Sequence, residues 1–133
     1  MPRINIFNSH RWNQDDEENK KLKDWLHNDD YYNFNFYEIS KGDVPYETRI
    51  KEHIRNCIDL SNVFIAFNNQ TSSYDKDSLH SYEIDYAMKK NKPIVLIKKW
   101  GTYQIPIVYQ NYNNIEIVNW NKESLRNAIK KMK

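Results

Sequence analysis

The residue that most invites chemistry is Glu83. It stands in SLHSYEIDYA (78–87), where Leu79, Tyr82, Tyr86 and Ala87 recur at i, i+3, i+7 and i+8, the spacing of a helix face that packs on a core. With Leu79 at 0° and about 100° per residue, Glu83 falls near about 40°, inside the apolar arc, and Asp85 near about 240°, outside it. A carboxylate on a packed face must be paired, hydrogen-bonded or partly protonated, because burying it bare costs several kcal/mol. One acid aimed into a cleft is a credible catalytic group. A structural glutamate paired with a nearby Arg or Lys is the other reading of the same pattern.

A second cluster, Ser9-His10-Arg11-Trp12, brings a hydroxyl, an imidazole, a guanidinium and an indole together. Arg11 is suited to clamp a phosphate and Trp12 to stack on a base. The plain alternative is a capping serine, exposed charges and an edge aromatic. Other chemistries are disfavoured. The chain's two glycines, Gly42 and Gly101, are too few for GxGxxG and too far apart for GxxxxGK[ST], which argues against ATP or Rossmann-type dinucleotide binding. No nucleophile elbow supports Ser-His-Asp catalysis. Cys57 shares a helical stripe with Ile50, Ile54 and Ile58 and reads as core.

Being alone, that thiol cannot form an internal disulfide, which fits a reducing, cytoplasmic setting. The histidines His10, His27, His53 and His80 lack HxxxH or HExxH spacing, so no metal site is expected. The net charge of +2 implies no strong pull toward nucleic acid or anionic membrane. Lys130, Lys131 and Lys133 read as a solvated helix end. MPRINIF lacks a signal-peptide run, and no stretch approaches the ~20 apolar residues of a membrane span.

These groups need elements to position them. RINIFNS (3–9) opens as a buried strand. NQDDEENKKLKDWLHN (13–28) follows as a helix with acids in its first turn and Leu22, Trp25 and Leu26 in a stripe. FNFYEIS (34–40) is a strand, KGDVP (41–45) a turn, and YETRIKEHIRNCIDLS (46–61) a helix that Pro45 starts. NVFIAFN (62–68) has the continuous apolar character of a central parallel strand. The polar loop NQTSSYDKD (69–77) leads into the Glu83 helix. KPIVLIKKW (92–100) is a strand, GTYQIPIVYQNYNN (101–114) a loop with two β-like fragments, and IEIVNW (115–120) the last strand. A helix closes the chain, with Leu125, Ala128, Ile129 and Met132 in its stripe.

Five strands alternating with four helices predict a single α/β domain over 1–133, a parallel sheet covered on both faces. The commonest order for five strands is the flavodoxin-like 2-1-3-4-5. Ligands in such sheets bind outside the C-terminal strand ends. That singles out the segments after strands 1, 2 and 3, which carry SHRW, the KGDVP turn and the approach to Glu83.

The same segments resemble a known family. RINIFNSHRWN is similar to the opening strand and loop of TIR domains, closest to the bacterial ThsB-type branch of Thoeris anti-phage defence. IDLSNVFIAFNN resembles the third strand of that branch, and SLHSYEIDYAMKKNKPIVLI its Glu-Ile-x-x-Ala helix followed by Asn-Lys-Pro-Ile and a strand. KGDVP stands where those domains carry their second loop.

The resemblance implies cleavage of the nicotinamide–ribose bond of NAD+, with NAD+ as substrate and no separate cofactor, and Glu83 as the essential carboxylate. It implies that Phe7, Ser9, His10 and Arg11 line the nucleotide pocket, with Lys41 and Asp43 near its rim. His10 or His80 would orient a ribose hydroxyl. The sequence departs from the family at Leu79, where many members have Trp, and Tyr82 or Trp12 would take that role. A nucleotide product acting on a partner effector and self-association are implied as well. A non-catalytic TIR adaptor and a nucleoside deoxyribosyltransferase-like enzyme are the alternative expectations.

Overall fold

The computed structural model describes residues 3–9, 16–27, 29, 32–37, 47–68, 79–98, 105 and 107–132. Five apolar runs pair side by side as β1 (Arg3–Ser9), β2 (Asn33–Tyr37), β3 (Val63–Asn68), β4 (Ile94–Lys98) and β5 (Ile115–Asn119). Every pairing is parallel, and the order is β2-β1-β3-β4-β5, as the alternation of elements predicts. The helices are α1 (Asp16–His27), α2 (Glu47–Leu60), α3 (Leu79–Lys89), α4 (Ile107–Gln110) and α5 (Lys122–Met132).

Strand pleating sends alternate residues to opposite faces. Ile4, Ile6, Val63, Ile65, Phe67, Val95 and Ile97 pack with Leu22 and Leu26 of α1 and Leu125, Ala128 and Ile129 of α5. Phe7, Phe64, Ala66, Ile94 and Leu96 pack with Ile50, Ile54 and Ile58 of α2, Ile84 and Ala87 of α3, and Tyr109 of α4. Burial of each large side chain contributes about 1.5–3 kcal/mol, so β3 and β4, apolar on both faces, anchor the domain. Cys57 lies in the second layer, as its stripe predicts. No helix among the described residues is long and apolar enough to cross a membrane.

The first layer carries a polar clasp. The buried Asp29 accepts from Arg126 Nε at 3.0 Å and from Arg126 Nη2, and lies 3.3 Å from Lys130 Nζ. Its other oxygen accepts from the Tyr32 amide at 2.8 Å. This ties α5 to the entry of β2.

Two features differ from the sequence expectation. The segment 101–114 reads as a loop with β-like fragments, yet Ile107–Gln110 forms one helical turn. Tertiary packing overrides the local pattern there: the turn seats Tyr109 in the second layer, and Gln110 Nε2 closes it by donating to the Ile105 carbonyl at 2.5 Å. The second difference is the rotation of α3. Its buried arc runs through Ser81, Glu83, Ile84 and Ala87, while Tyr82 and Tyr86 stand half-buried at the flank.

The tyrosines face α2 because their hydroxyls need polar partners there. Arg55 Nη1 donates to Tyr82 Oη at 2.8 Å, and Tyr86 Oη donates to Asp59 at 2.8 and 3.0 Å. Lys51 lies 5.2 Å over the Tyr82 ring. Beyond Lys89 the helix is capped by Asn91, whose φ of 54° is the left-handed conformation of a C-terminal cap.

Candidate active site

In the order 2-1-3-4-5, connections leave β1 and β3 in opposite directions, so a crevice opens between their C-terminal ends. Ser9, the last residue of β1, pairs in register with Ala66 of β3. The helix that follows β3 carries Glu83 on its second turn. Both side chains belong to the face covered by α2 and α3, and they meet: Ser9 Oγ donates to Glu83 Oε1 at 2.6 Å across 74 residues of sequence. Glu83 is 7% exposed and Ser9 1%.

Burial is the dominant electrostatic influence on Glu83. It pushes the carboxyl from 4.5 up to about 8, opposed by the hydrogen bond from Ser9. Desolvation penalises the charged form, and a donor aimed at that form restores part of the loss. Glu83 therefore holds its proton near neutrality in the free protein. An incoming cation beside it would draw the proton off. Among the described residues no Lys or Arg is paired with Glu83. The structural alternative, a glutamate neutralised by a buried base, is not what these residues form.

The other expected pocket residues have different placements. Phe7 is fully buried and stacks on Phe64 with ring centroids 5.3 Å apart and planes at 8°. It is a core residue beneath the site and presents no surface to a nucleotide, because its position in the pleat points it between β1 and α2. Tyr82 follows the α2 flank and is occupied by Arg55 and Lys51, one helix position away from the Glu83 direction. His10, Arg11, Trp12, Lys41 and Asp43 lie outside the described residues, as do the side chains of Leu79 and His80. No cluster of three His, Cys, Asp or Glu side chains arranged for a metal occurs among the described residues.

One polar pair beside the site is absent from the sequence reading. Asn8, on the opposite face of β1 from Ser9, donates through Nδ2 to Asn19 Oδ1 of α1, and both residues are buried. This bond fixes α1 against the last turn of strand before the crevice. Asn19 shares the helical face of Leu22 and Leu26 at i, i+3 and i+7. A polar residue on an apolar stripe is the same signal that exposed Glu83.

The architecture is shared with solved structures of low sequence identity. A CMP N-glycosidase of Clostridium botulinum, BcmB, superposes with a TM-score of 0.63 at 14% identity, with 96% of each chain covered. A 3-dehydroquinate dehydratase-like protein from Bifidobacterium longum gives a TM-score of 0.49 at 11% identity, over 99% of this chain and 95% of that one. At 14% identity the likeness to the first is one of fold. No curated protein matches the chain. A family model described as Thoeris protein ThsB, TIR-like domain, matches residues 7–104, a span that takes in both Ser9 and Glu83, and the chain belongs to that family.

Proposed function

We propose that this protein cleaves the N-glycosidic bond of a nucleotide, that the bond is the nicotinamide–ribose bond of NAD+, and that Glu83 acts at the anomeric carbon. The observation that carries the reading is the buried Glu83 carboxyl held at the crevice between β1 and β3 by Ser9. Membership of the ThsB TIR-like family supports a nucleotide substrate and a role in anti-phage defence.

The chemistry suits one acid. The C1′–N bond breaks heterolytically, and its electron pair neutralises the pyridinium nitrogen of nicotinamide, so the leaving group needs no proton. The ribosyl carbon becomes oxocarbenium-like, and the Glu83 carboxylate stabilises or captures it. A hydroxyl or ring nitrogen of the acceptor then bonds to C1′, any C1′–O bond to Glu83 breaks with its electron pair returning to the carboxylate, and that carboxylate takes the proton that a hydroxyl gives up. The cationic nicotinamide ring itself favours the ionised form of Glu83 on arrival. Scarcity of water around a carboxyl only 7% exposed favours transfer to an acceptor over hydrolysis. The ADP-ribose-derived product, cyclic or conjugated, serves as a signal to a partner effector. Arg11 is assigned to a phosphate, Trp12 to a base, His10 or His80 to a ribose hydroxyl, and Lys41 and Asp43 to the rim.

One observation favours a second reading. A carboxyl that keeps its proton up to about 8 is also a general acid for a neutral leaving base. The structural likeness to a CMP N-glycosidase points the same way, toward a pyrimidine nucleotide. Incubating the purified protein with NAD+, CMP and deoxynucleosides in parallel, and quantifying free base by chromatography, separates the readings. Nicotinamide release alone supports the first and cytosine release alone the second. Release of neither, at high protein concentration and with extract of infected cells added, contradicts both and favours an adaptor.

A further inference from the structure

We infer that Ser9 is a positioning residue for Glu83: its hydroxyl fixes Oε1 and leaves Oε2 to meet the anomeric carbon, so Ser9 acts through the carboxylate and not on the nucleotide. This rests on the catalytic reading of Glu83 given above. Three observations carry it. The Ser9 Oγ to Glu83 Oε1 distance is 2.6 Å, at the short end for O–H···O bonds. Ser9 is 1% exposed, which leaves its side chain no surface for a ligand. Finally, Ser9 is locked by strand pairing, with Phe7, Asn8 and Ser9 in register with Phe64, Ile65 and Ala66, so the donor is rigid where a loop serine would not be.

Among the described residues, this hydroxyl is the tuning group. On β3, Val63–Phe67 has no titratable side chain, and Arg3 stands exposed at the far end of β1. On α2, Arg55 and Asp59 are engaged with Tyr82 and Tyr86, and Lys51 lies over the Tyr82 ring. On α3 itself, Asp85 is exposed. Tyr109 of α4 lies in the same layer, and Tyr37 at the end of β2 packs against it. Among the described residues the influences on the Glu83 carboxyl are burial, which raises it, and Ser9, which lowers it. Removing the hydroxyl therefore leaves burial unopposed, and the carboxylate forms only at higher pH.

The test is nicotinamide release from NAD+ between pH 5 and 10 by the wild-type, Ser9→Ala, Ser9→Cys and Glu83→Gln proteins. The rising limb of kcat/KM moves to higher pH in Ser9→Ala by about one pH unit, the size expected for one hydrogen bond to a charged group. Turnover at pH 7 then falls about tenfold and recovers at the alkaline end, with KM little changed. Ser9→Cys, a weak donor, lies between. Denaturant unfolding across the same pH range reports the shift without turnover, because the pH at which Glu83 stops weighing on stability moves upward in Ser9→Ala. An unmoved limb and an unmoved stability profile in Ser9→Ala, with Glu83→Gln inactive, overturn the role of Ser9 and leave that of Glu83 standing. Full turnover by Glu83→Gln overturns both.

Discussion

Replacing Glu83 by Gln should flatten the dependence of stability on pH. Gln matches Glu in shape and keeps an oxygen to accept the Ser9 hydroxyl, but it does not titrate. In the unfolded chain a glutamate loses its proton near 4.5, whereas in the folded protein Glu83 keeps it up to about 8. Between those values the folded state binds a proton that the unfolded state lacks, so stability falls as pH rises. The contribution of the proton is complete below 4.5 and lost as pH climbs through about 8. At about 1.4 kcal/mol per pH unit, the loss across that interval is about 5 kcal/mol. That is a large share of the stability of a small domain.

The assay is urea unfolding of the wild-type and Glu83→Gln proteins at unit steps from pH 4 to 10, followed by circular dichroism. Other titrating groups cancel in the difference between the two. The difference should shift in favour of the Gln protein steadily from pH 5 to 8 and level off above. Parallel curves across the whole range would refute the assigned burial of the carboxyl and the reasoning built on it.

Other outcomes follow from the same geometry. If NAD+ is the substrate and the carboxylate the working form, kcat/KM for nicotinamide release rises with pH up to about 8; if a neutral base leaves by acid catalysis, base release falls over that range. Phe64→Ala, which opens the second core layer beneath Ser9 and removes the stack on Phe7, should cost about 3–5 kcal/mol in chemical unfolding. Asp29→Ala should cost about 1–3 kcal/mol, because it strips Arg126 and Lys130 of a buried partner while both keep some solvent. Tyr86→Phe should change stability by less than about 1 kcal/mol and leave base release at the wild-type rate, since its bond to Asp59 lies on the exposed side of α3.

Much of this fold is written in local patterns, for identifiable reasons. β3 and β4 are buried on both faces, so they read as unbroken apolar runs bounded by polar residues. Alternation with amphipathic helices then leaves few sheet orders. Glu83 was legible because a charge on an apolar stripe has few explanations. What sequence could not supply was tertiary. Tyr82 and Tyr86 count as apolar in a stripe, yet their hydroxyls draw them to Arg55 and Asp59, and the buried face of α3 turns accordingly. The turn at Ile107–Gln110 exists because Tyr109 has a core to enter. The Ser9–Glu83 bond spans 74 residues, and no periodicity carries information over that distance. The family resemblance implies a pocket role for Phe7, while strand alternation alone places it in the core with Phe64.

The central claim is that the Glu83 carboxyl breaks a nucleotide N-glycosidic bond. It is tested most directly by mass-spectrometric measurement of nicotinamide released from NAD+ by wild-type and Glu83→Gln proteins of equal, verified folding. The wild-type protein should release nicotinamide and the Glu83→Gln protein should fall to the uncatalysed background. Equal release by the two proteins would contradict the claim.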